Sequence, residues 1–108
     1  MKIELAKTEL IHFVGIGGIG MSGLALIMKG LGFKVQGSDI SSNKNIERLK
    51  KNKIKVYISH NKKNIQKSTI LVISSAIKQS NSEIIEAKEK QLPIYKRGDM
   101  LAHVVSLL

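Results

Sequence analysis

The chain contains no cysteine, no tryptophan and a single proline, and aromatic residues make up only 4% of it. Without cysteine it can form neither disulfides nor thiolate metal sites, which fits a reducing compartment. With so few aromatic side chains, platforms for stacking nucleic-acid bases are scarce. No stretch approaches the ~20 consecutive apolar residues that span a bilayer. The N-terminal stretch MKIELAKTELIHF mixes charged with apolar residues and has no signal-peptide h-region. We therefore expect a soluble cytoplasmic domain with no metal site and no membrane partner.

Acidic residues are also few: eight Asp and Glu stand against 18 Lys and Arg, a formal charge of +10. This balance favours anionic partners, which could be nucleic acid, anionic lipid or a phosphorylated small molecule. Much of the charge lies in NKNIERLKKNKIK (residues 43–55), which is typical of a solvated helix face. The case for a nucleic-acid partner therefore rests on charge alone, and we expect no such partner.

A length of 108 residues, of which 43% are hydrophobic, predicts one domain over residues 1–108.

Short β-branched runs alternate with helical periodicity along the whole chain. Met21, Leu24, Ala25, Met28 and Leu31 recur at helical spacing, and Gly32 stands where a C-terminal cap is expected. The predicted strands are residues 11–16, 33–39, 55–59, a run beginning at 69, and 94–96. The predicted helices are residues 21–31, 43–53 and 84–91, and a last one from about Asp99. A capping box at Ser80 and Glu83 precedes the third of these helices. This order predicts a Rossmann-like, doubly wound α/β fold, with a mainly parallel five-stranded sheet and helices on both faces.

Glycine is concentrated in one place, the stretch FVGIGGIGMSGLA (residues 13–25). Gly15, Gly17 and Gly20 form a G-x-G-x-x-G motif directly between the first strand and the first helix, the context in which the pattern is informative. The first glycine permits the tight turn, the second lets the backbone approach a pyrophosphate, and the third lets the helix pack on the strand. The N–H groups of the helix N-terminus then favour an anion.

An acidic residue follows at the distance that dinucleotide sites use. Asp39 closes the second strand 19 residues after Gly20, and such sites place a ribose-binding acid about 20 residues on. Asp39 could equally be a turn residue before the sequence ISSN. The residues alone predict that the chain binds a nucleotide diphosphate. An NAD(H)-binding Rossmann regulatory module is an open alternative.

The string HFVGIGGIGMSGLA resembles the opening of the UDP-N-acetylmuramate–L-alanine ligases, the MurC-type Mur ligases of peptidoglycan synthesis. The resemblance continues through GSD (37–39), SSAI (74–77), NSEI (81–84) and RGDML (97–101), so it covers essentially the whole chain. It departs from the family at Ser59, Ser82 and the pair Gly98 and Asp99, where the family usually has glycine, proline and the pair alanine and glutamate.

The resemblance implies a longer ligase in which this segment binds the UDP part of UDP-N-acetylmuramate. ATP, with Mg²⁺, would activate the lactyl carboxylate of that substrate as an acyl phosphate, and the amine of L-alanine would attack it. No G-x-x-x-x-G-K-[ST] phosphate loop occurs in these residues, so we expect the ATPase domain elsewhere in the same full-length chain. We expect no cofactor and no catalytic residue in this segment, which would position the substrate.

By matching positions, the resemblance assigns the diphosphate to the loop from Gly15 to Ser22. The predicted substrate-binding residues are Gly15, Gly17, Gly18, Ile19, Gly20, Met21, Ser22, Asp39, His60, Ser74 and Ser75. Asp39 would lie near the ribose or uracil, and His60 and the two serines would line the remaining edge. His60 could instead be a solvated loop residue, and the serines a turn. His12 and His103 are interpreted as structural.

Overall fold

A computed structural model describes residues 3–108; Met1 and Lys2, the start of the N-terminal stretch discussed above, lie outside them. The strands are β1 (Leu10–Val14), β2 (Lys34–Ser38), β3 (Lys55–Tyr57), β4 (Ile70–Ile73) and β5 (Ile94–Lys96). The helices are α1 (Ile19–Gly30), α2 (Lys44–Lys51), α3 (Ser82–Glu89) and α4 (Arg97–Ser106), with a 3-10 helix at Lys62–Ile65. Among these residues no helix is long and apolar enough to cross a membrane.

The five strands form one sheet in the order β3-β2-β1-β4-β5, and all neighbouring pairs are parallel. The predicted α/β fold with a five-stranded parallel sheet is confirmed. After β3 the chain crosses to the other side of β1, where β4 pairs with β1. The connection that follows β1 therefore leads toward β2, and the connection that follows β4 leads the opposite way, toward β5. Sheets of this kind bind ligands outside the carboxyl ends of the strands at such a switch point.

Each face of the sheet has its own hydrophobic cluster. Helices α1, α2 and α4 cover one face, where the buried cluster includes Ile11, Phe13, Met21, Leu24, Met28, Val35, Leu49, Val72, Met100 and Val104. Helix α3 and the 3-10 helix cover the other, where the cluster is smaller and consists of Val14, Ile65, Leu71, Ile73, Ile84 and Ala87. The sheet is therefore covered on both faces, as the alternation of elements predicts.

The C-terminal end of α1 and the buried face of α2 also agree with the sequence. Gly32 has φ +95°, and its N–H donates to the carbonyl of Lys29, which is how a glycine cap closes a helix. In α2 the side chain of Asn43 accepts a hydrogen bond from the backbone N–H of Ile46 at 2.9 Å. Ile46 and Leu49 are fully buried, so the basic residues of this helix lie on its outer side.

The predicted capping box at Ser80 and Glu83 is wrong. The N-cap of α3 is Asn81, whose Oδ1 accepts from the backbone N–H of Glu83 at 2.9 Å. The carboxylate of Glu83 turns into the interior, because several buried donors there offer it more than one backbone N–H does. Several boundaries also move by about two residues. In particular, β1 ends at Val14, before the glycine turn, and α4 begins at Arg97, two residues earlier than predicted.

Candidate functional site

An open cleft of about 400 Å³ lies at the carboxyl ends of β1 and β4. Seven of the predicted binding residues line it: Gly15, Gly17, Gly18, Gly20, Met21, Asp39 and Ser74. The other four lining residues were not predicted from the sequence to belong to the site: Asn43, Ala76, Ile77 and Arg97. The first strand, the glycine loop, the end of β2 and the start of α4 therefore meet where the topology places a ligand.

The glycine loop is anchored to the end of β2 by backbone hydrogen bonds. Gly15 has φ +80°, which few other residues adopt, and its N–H donates to the carbonyl of Ser38 at 2.8 Å. The N–H of Ile16 donates to the same carbonyl at 3.0 Å. Gly15 thus makes the tight turn that the motif predicts, and Ser38 fixes where that turn lies.

Gly17 is held from two sides by polar side chains. Its N–H donates to Oδ2 of Asp39 at 2.8 Å, and its carbonyl accepts from the side-chain amides of Asn43 at 3.2 Å and Asn45 at 3.0 Å. A Cβ built on Gly17 would lie 2.7 Å from Oδ2 of Asp39. Asp39 therefore has a role that its position alone did not reveal: it orients the glycine loop. Whether it also reaches a ribose stays a prediction.

Positive potential collects at the start of α1. The helix begins at Ile19, its N-cap Gly18 provides no side-chain hydrogen bond, and its first turn contains no acidic residue. The first N–H groups of such a helix carry roughly half a positive charge. Arg97 adds a full positive charge. Its guanidinium lies beside the first turn of this helix, 3.1–3.2 Å from the position of a Cβ built on Gly20. The motif predicts that Gly20 makes room for a strand; in this structure the group it makes room for is Arg97.

The other predicted residues lie around the cleft. Ser75 lines a second cavity of about 480 Å³, which shares Ser74 and Arg97 with the cleft. His60 lines a third of about 310 Å³, which shares Ala76 and Ile77 with the cleft.

Two predicted residues of the loop line none of these cavities. Ile19 is 86% exposed, at the first position of α1. Ser22 is buried in α1, and its hydroxyl donates to the carbonyl of Ile19 at 3.2 Å. A binding role for Ile19 and Ser22 stays a prediction from the resemblance.

A buried carboxylate, Glu83, lies beneath this edge of the sheet. It accepts from Nε2 of His12 at 2.7 Å, from Oγ of Ser38 at 2.6 Å, from Nδ2 of Asn64 at 2.8 Å and from the backbone N–H of Asn61 at 3.1 Å. Burial by itself raises the pKa of Glu83, but these hydrogen bonds, led by that of His12, hold the pKa below its ordinary value of 4.5. Glu83 is therefore ionised at neutral pH.

No function was predicted for Glu83 from the sequence, and His12 was predicted to be structural. The signal that could have found the pair is a histidine within a buried strand, since a buried imidazole needs hydrogen-bond partners. Within residues 3–108 no group of three His, Asp or Glu side chains is arranged to hold a metal ion.

Comparisons with known proteins agree with this architecture. The model of the Mur ligase family, catalytic domain, matches residues 10–107. A protein of Pelagibacter ubique named UDP-N-acetylmuramate–L-alanine ligase is 79% identical over 99% of this chain and 23% of its own length. One of the same name from Bartonella bacilliformis is 55% identical over 97% of this chain and 22% of its own. This chain spans less than a quarter of the length of either relative.

A solved structure gives the same result in three dimensions. The UDP-N-acetylmuramate-alanine ligase MurC of Thermotoga maritima superimposes with a TM-score of 0.85 at 33% identity. The superposition covers 89% of this chain and 22% of that one. Because the family model matches residues 10–107 and relatives of 79% and 55% identity cover almost the whole chain, this chain belongs to the Mur ligase family.

Proposed function

We propose that this chain binds the UDP moiety of UDP-N-acetylmuramate and is the nucleotide-binding part of a longer ligase. The observation that carries the proposal is the cleft at the switch point, where the glycine loop and the N-terminus of α1 face Arg97. Backbone N–H groups and a guanidinium are suited to a diphosphate, since both donate charge-assisted hydrogen bonds to its oxygens. The names of the relatives supply the substrate: each is a UDP-N-acetylmuramate–L-alanine ligase.

In that longer protein the ligation would join L-alanine to the lactyl carboxylate in peptidoglycan precursor synthesis. The energy would come from ATP bound, with Mg²⁺, in another domain of the same chain, since the G-x-x-x-x-G-K-[ST] loop is absent from these residues. This segment would contribute binding and orientation. Holding the diphosphate on a preformed loop lowers the entropic cost of bringing the distant lactyl group to the reacting partners.

A thermal-shift experiment tests the ligand class. UDP-N-acetylmuramate, or UDP at higher concentration, should raise the melting temperature of this chain, because a ligand at 100 times its Kd adds about 2.7 kcal/mol. NADH at the same concentration should raise it less. A larger shift with NADH would contradict the proposal and favour the NAD(H)-binding module.

Two glycines of the same stretch allow a matched test of the loop. Gly17→Ala should weaken UDP binding by about tenfold, or 1.4 kcal/mol, because the new methyl group displaces Asp39 and with it the loop. Gly23→Ala is the control: nothing lies within 4 Å of a Cβ built there, so UDP affinity should not change. Both are measured by calorimetric titration, with melting curves to show that each variant is folded. Equal UDP affinity of a folded Gly17→Ala variant and the wild type would place the phosphates elsewhere.

A further inference from the structure

The hydrogen bonds around Glu83 determine where its neighbours carry their protons. The amide nitrogen of Gln36 donates to the carbonyl of Asn64 at 2.8 Å, which identifies it as nitrogen because a carbonyl only accepts. The same nitrogen lies 2.9 Å from Nδ1 of His12, so that ring nitrogen accepts. His12 therefore carries a proton on Nε2, which it donates to Glu83.

A chain of hydrogen bonds, called the relay below, runs from Glu83 through Ser38 to His60. Because Glu83 is ionised and only accepts, the hydroxyl of Ser38 uses its proton to donate to Oε1 of Glu83 at 2.6 Å. The oxygen of Ser38 is then left to accept, from Nε2 of His12 at 3.3 Å and from Nδ1 of His60 at 3.0 Å. His60 must therefore carry a proton on Nδ1.

The other nitrogen of His60 follows from this. In the neutral ring Nε2 has a lone pair, and it has no hydrogen-bond partner among the described residues. The side chain of His60 is 17% exposed and lines the cavity of about 310 Å³ beside the cleft. Ile40 and Ile77 form apolar walls of that cavity, which suit the faces of a planar base. An acceptor between apolar walls selects a ring that offers an N–H group.

We propose that Glu83 is a positioning residue that, through Ser38, fixes the proton of His60 on Nδ1 and so makes Nε2 an acceptor for the N3–H group of a uracil base. N3 of cytosine carries a lone pair instead of a proton, and this lone pair would be repelled by the lone pair on Nε2 of His60. The proposal rests on the proposed function for its ligand, whereas the proton relay itself concerns only residues of this chain. Glu83 is fully buried, so it acts through Ser38 and His60.

Glu83→Gln should reverse the relay. Oε2 accepts from two groups that can only donate, the backbone N–H of Asn61 and Nδ2 of Asn64, so the new amide nitrogen takes the place of Oε1 and loses the hydrogen bond from Nε2 of His12. It then donates to Ser38, whose own proton passes to Nδ1 of His60. The proton of His60 moves to Nε2 as a result, and the cavity receives a donor in place of an acceptor.

Nitrogen-15 NMR of the imidazoles, recorded at about pH 8 where an ordinary histidine is neutral, measures this without a ligand. We expect the His60 proton on Nδ1 in the wild type and on Nε2 in Glu83→Gln. Glu86→Gln is the matched control on the same helix. Among the described residues the one charged partner of Glu86 is Lys90, so this variant should leave His60 unchanged. A wild-type proton on Nε2, or the same tautomer in the wild type and Glu83→Gln, overturns the proposal.

Titration with UDP and CDP tests the consequence for specificity. The wild type and Glu86→Gln should prefer UDP by about tenfold, and Glu83→Gln should lose that preference. If Glu83→Gln does not fold, Ser38→Ala replaces it, because it removes the hydrogen-bond partner of Nδ1 of His60. Equal affinity of the wild type for UDP and CDP, or an unchanged preference in a folded relay variant, overturns the specificity. Binding of neither nucleotide by a wild type whose His60 carries its proton on Nδ1 overturns the proposed function and supports the relay.

Discussion

The two faces of the sheet are built from different chemistry. Along β1 and β2, the residues that point toward α1 and α4 include Ile11, Phe13 and Val35, all buried and apolar. The residues that alternate with them and point toward α3 include His12, Gln36 and Ser38, all buried and polar. Successive side chains of a strand point to opposite faces, so one pair of strands carries both patterns.

The difference shows how the domain separates stability from orientation. Apolar burial is non-directional and contributes in proportion to the area removed from water, so the face with α1 provides much of the folding free energy. Hydrogen bonds are directional, and a buried polar network is favourable only when every member is satisfied. Among the described residues no buried side-chain nitrogen or oxygen lacks a partner. The face with α3 therefore specifies the positions of Ser38 and His60, next to the cleft.

The largest effect is expected on the apolar face. Phe13→Ala should lower the free energy of unfolding by about 3–5 kcal/mol, because it removes a fully buried ring from the larger cluster and leaves a cavity. Urea denaturation followed by circular dichroism measures the change. A loss below about 1 kcal/mol would show that the apolar face is not where the stability lies.

A pH effect of intermediate size is expected on the polar face. Since the pKa of Glu83 in the folded chain lies below 4.5, its contribution to stability is fully present above pH 4.5. It is lost as the pH falls through the folded pKa, with a slope of at most about 1.4 kcal/mol per pH unit. Glu83→Gln cannot titrate, whereas His12 and His60, which face Glu83, are present in both proteins. Below pH 4.5 the unfolding free energy of Glu83→Gln should therefore fall less steeply with pH than that of the wild type. Urea denaturation at a series of pH values measures both slopes, and identical slopes would contradict the prediction.

The smallest effect is expected three residues along the same helix. Glu86 pairs with Lys90 at 3.5 Å on the outer side of α3, at the spacing of neighbouring helical turns. Glu86→Ala should lower the free energy of unfolding by about 0.3–0.5 kcal/mol, because solvent screens such pairs. Added salt should reduce the difference from the wild type in urea denaturation. A cost above about 1.5 kcal/mol would mean that the outer and inner carboxylates of α3 do not differ as their environments imply.

Periodicity and glycine placement were sufficient for the fold. Apolar residues at helical spacing located the buried face of α1, and Gly32 located its end, because both depend on interactions within a few residues. The prediction failed where a distant partner competed with a local one. Glu83 has the spacing of a capping box, yet four donors from three other segments attract its carboxylate inward.

The sequence by itself determined the order of the elements, the parallel sheet and the position of the glycine loop, since local periodicity and the strand-glycine-helix context encode all three. Only the tertiary structure decided which side chains complete the site. Arg97 comes to Gly20 from the far end of the chain, and Asp39 reaches Gly17 across β2. Such contacts depend on the register of parallel strands and on helix packing. Spacing along the chain indicated Asp39 but not its contact with Gly17, and it gave no indication of Arg97, because the residues that meet are 22 or more positions apart.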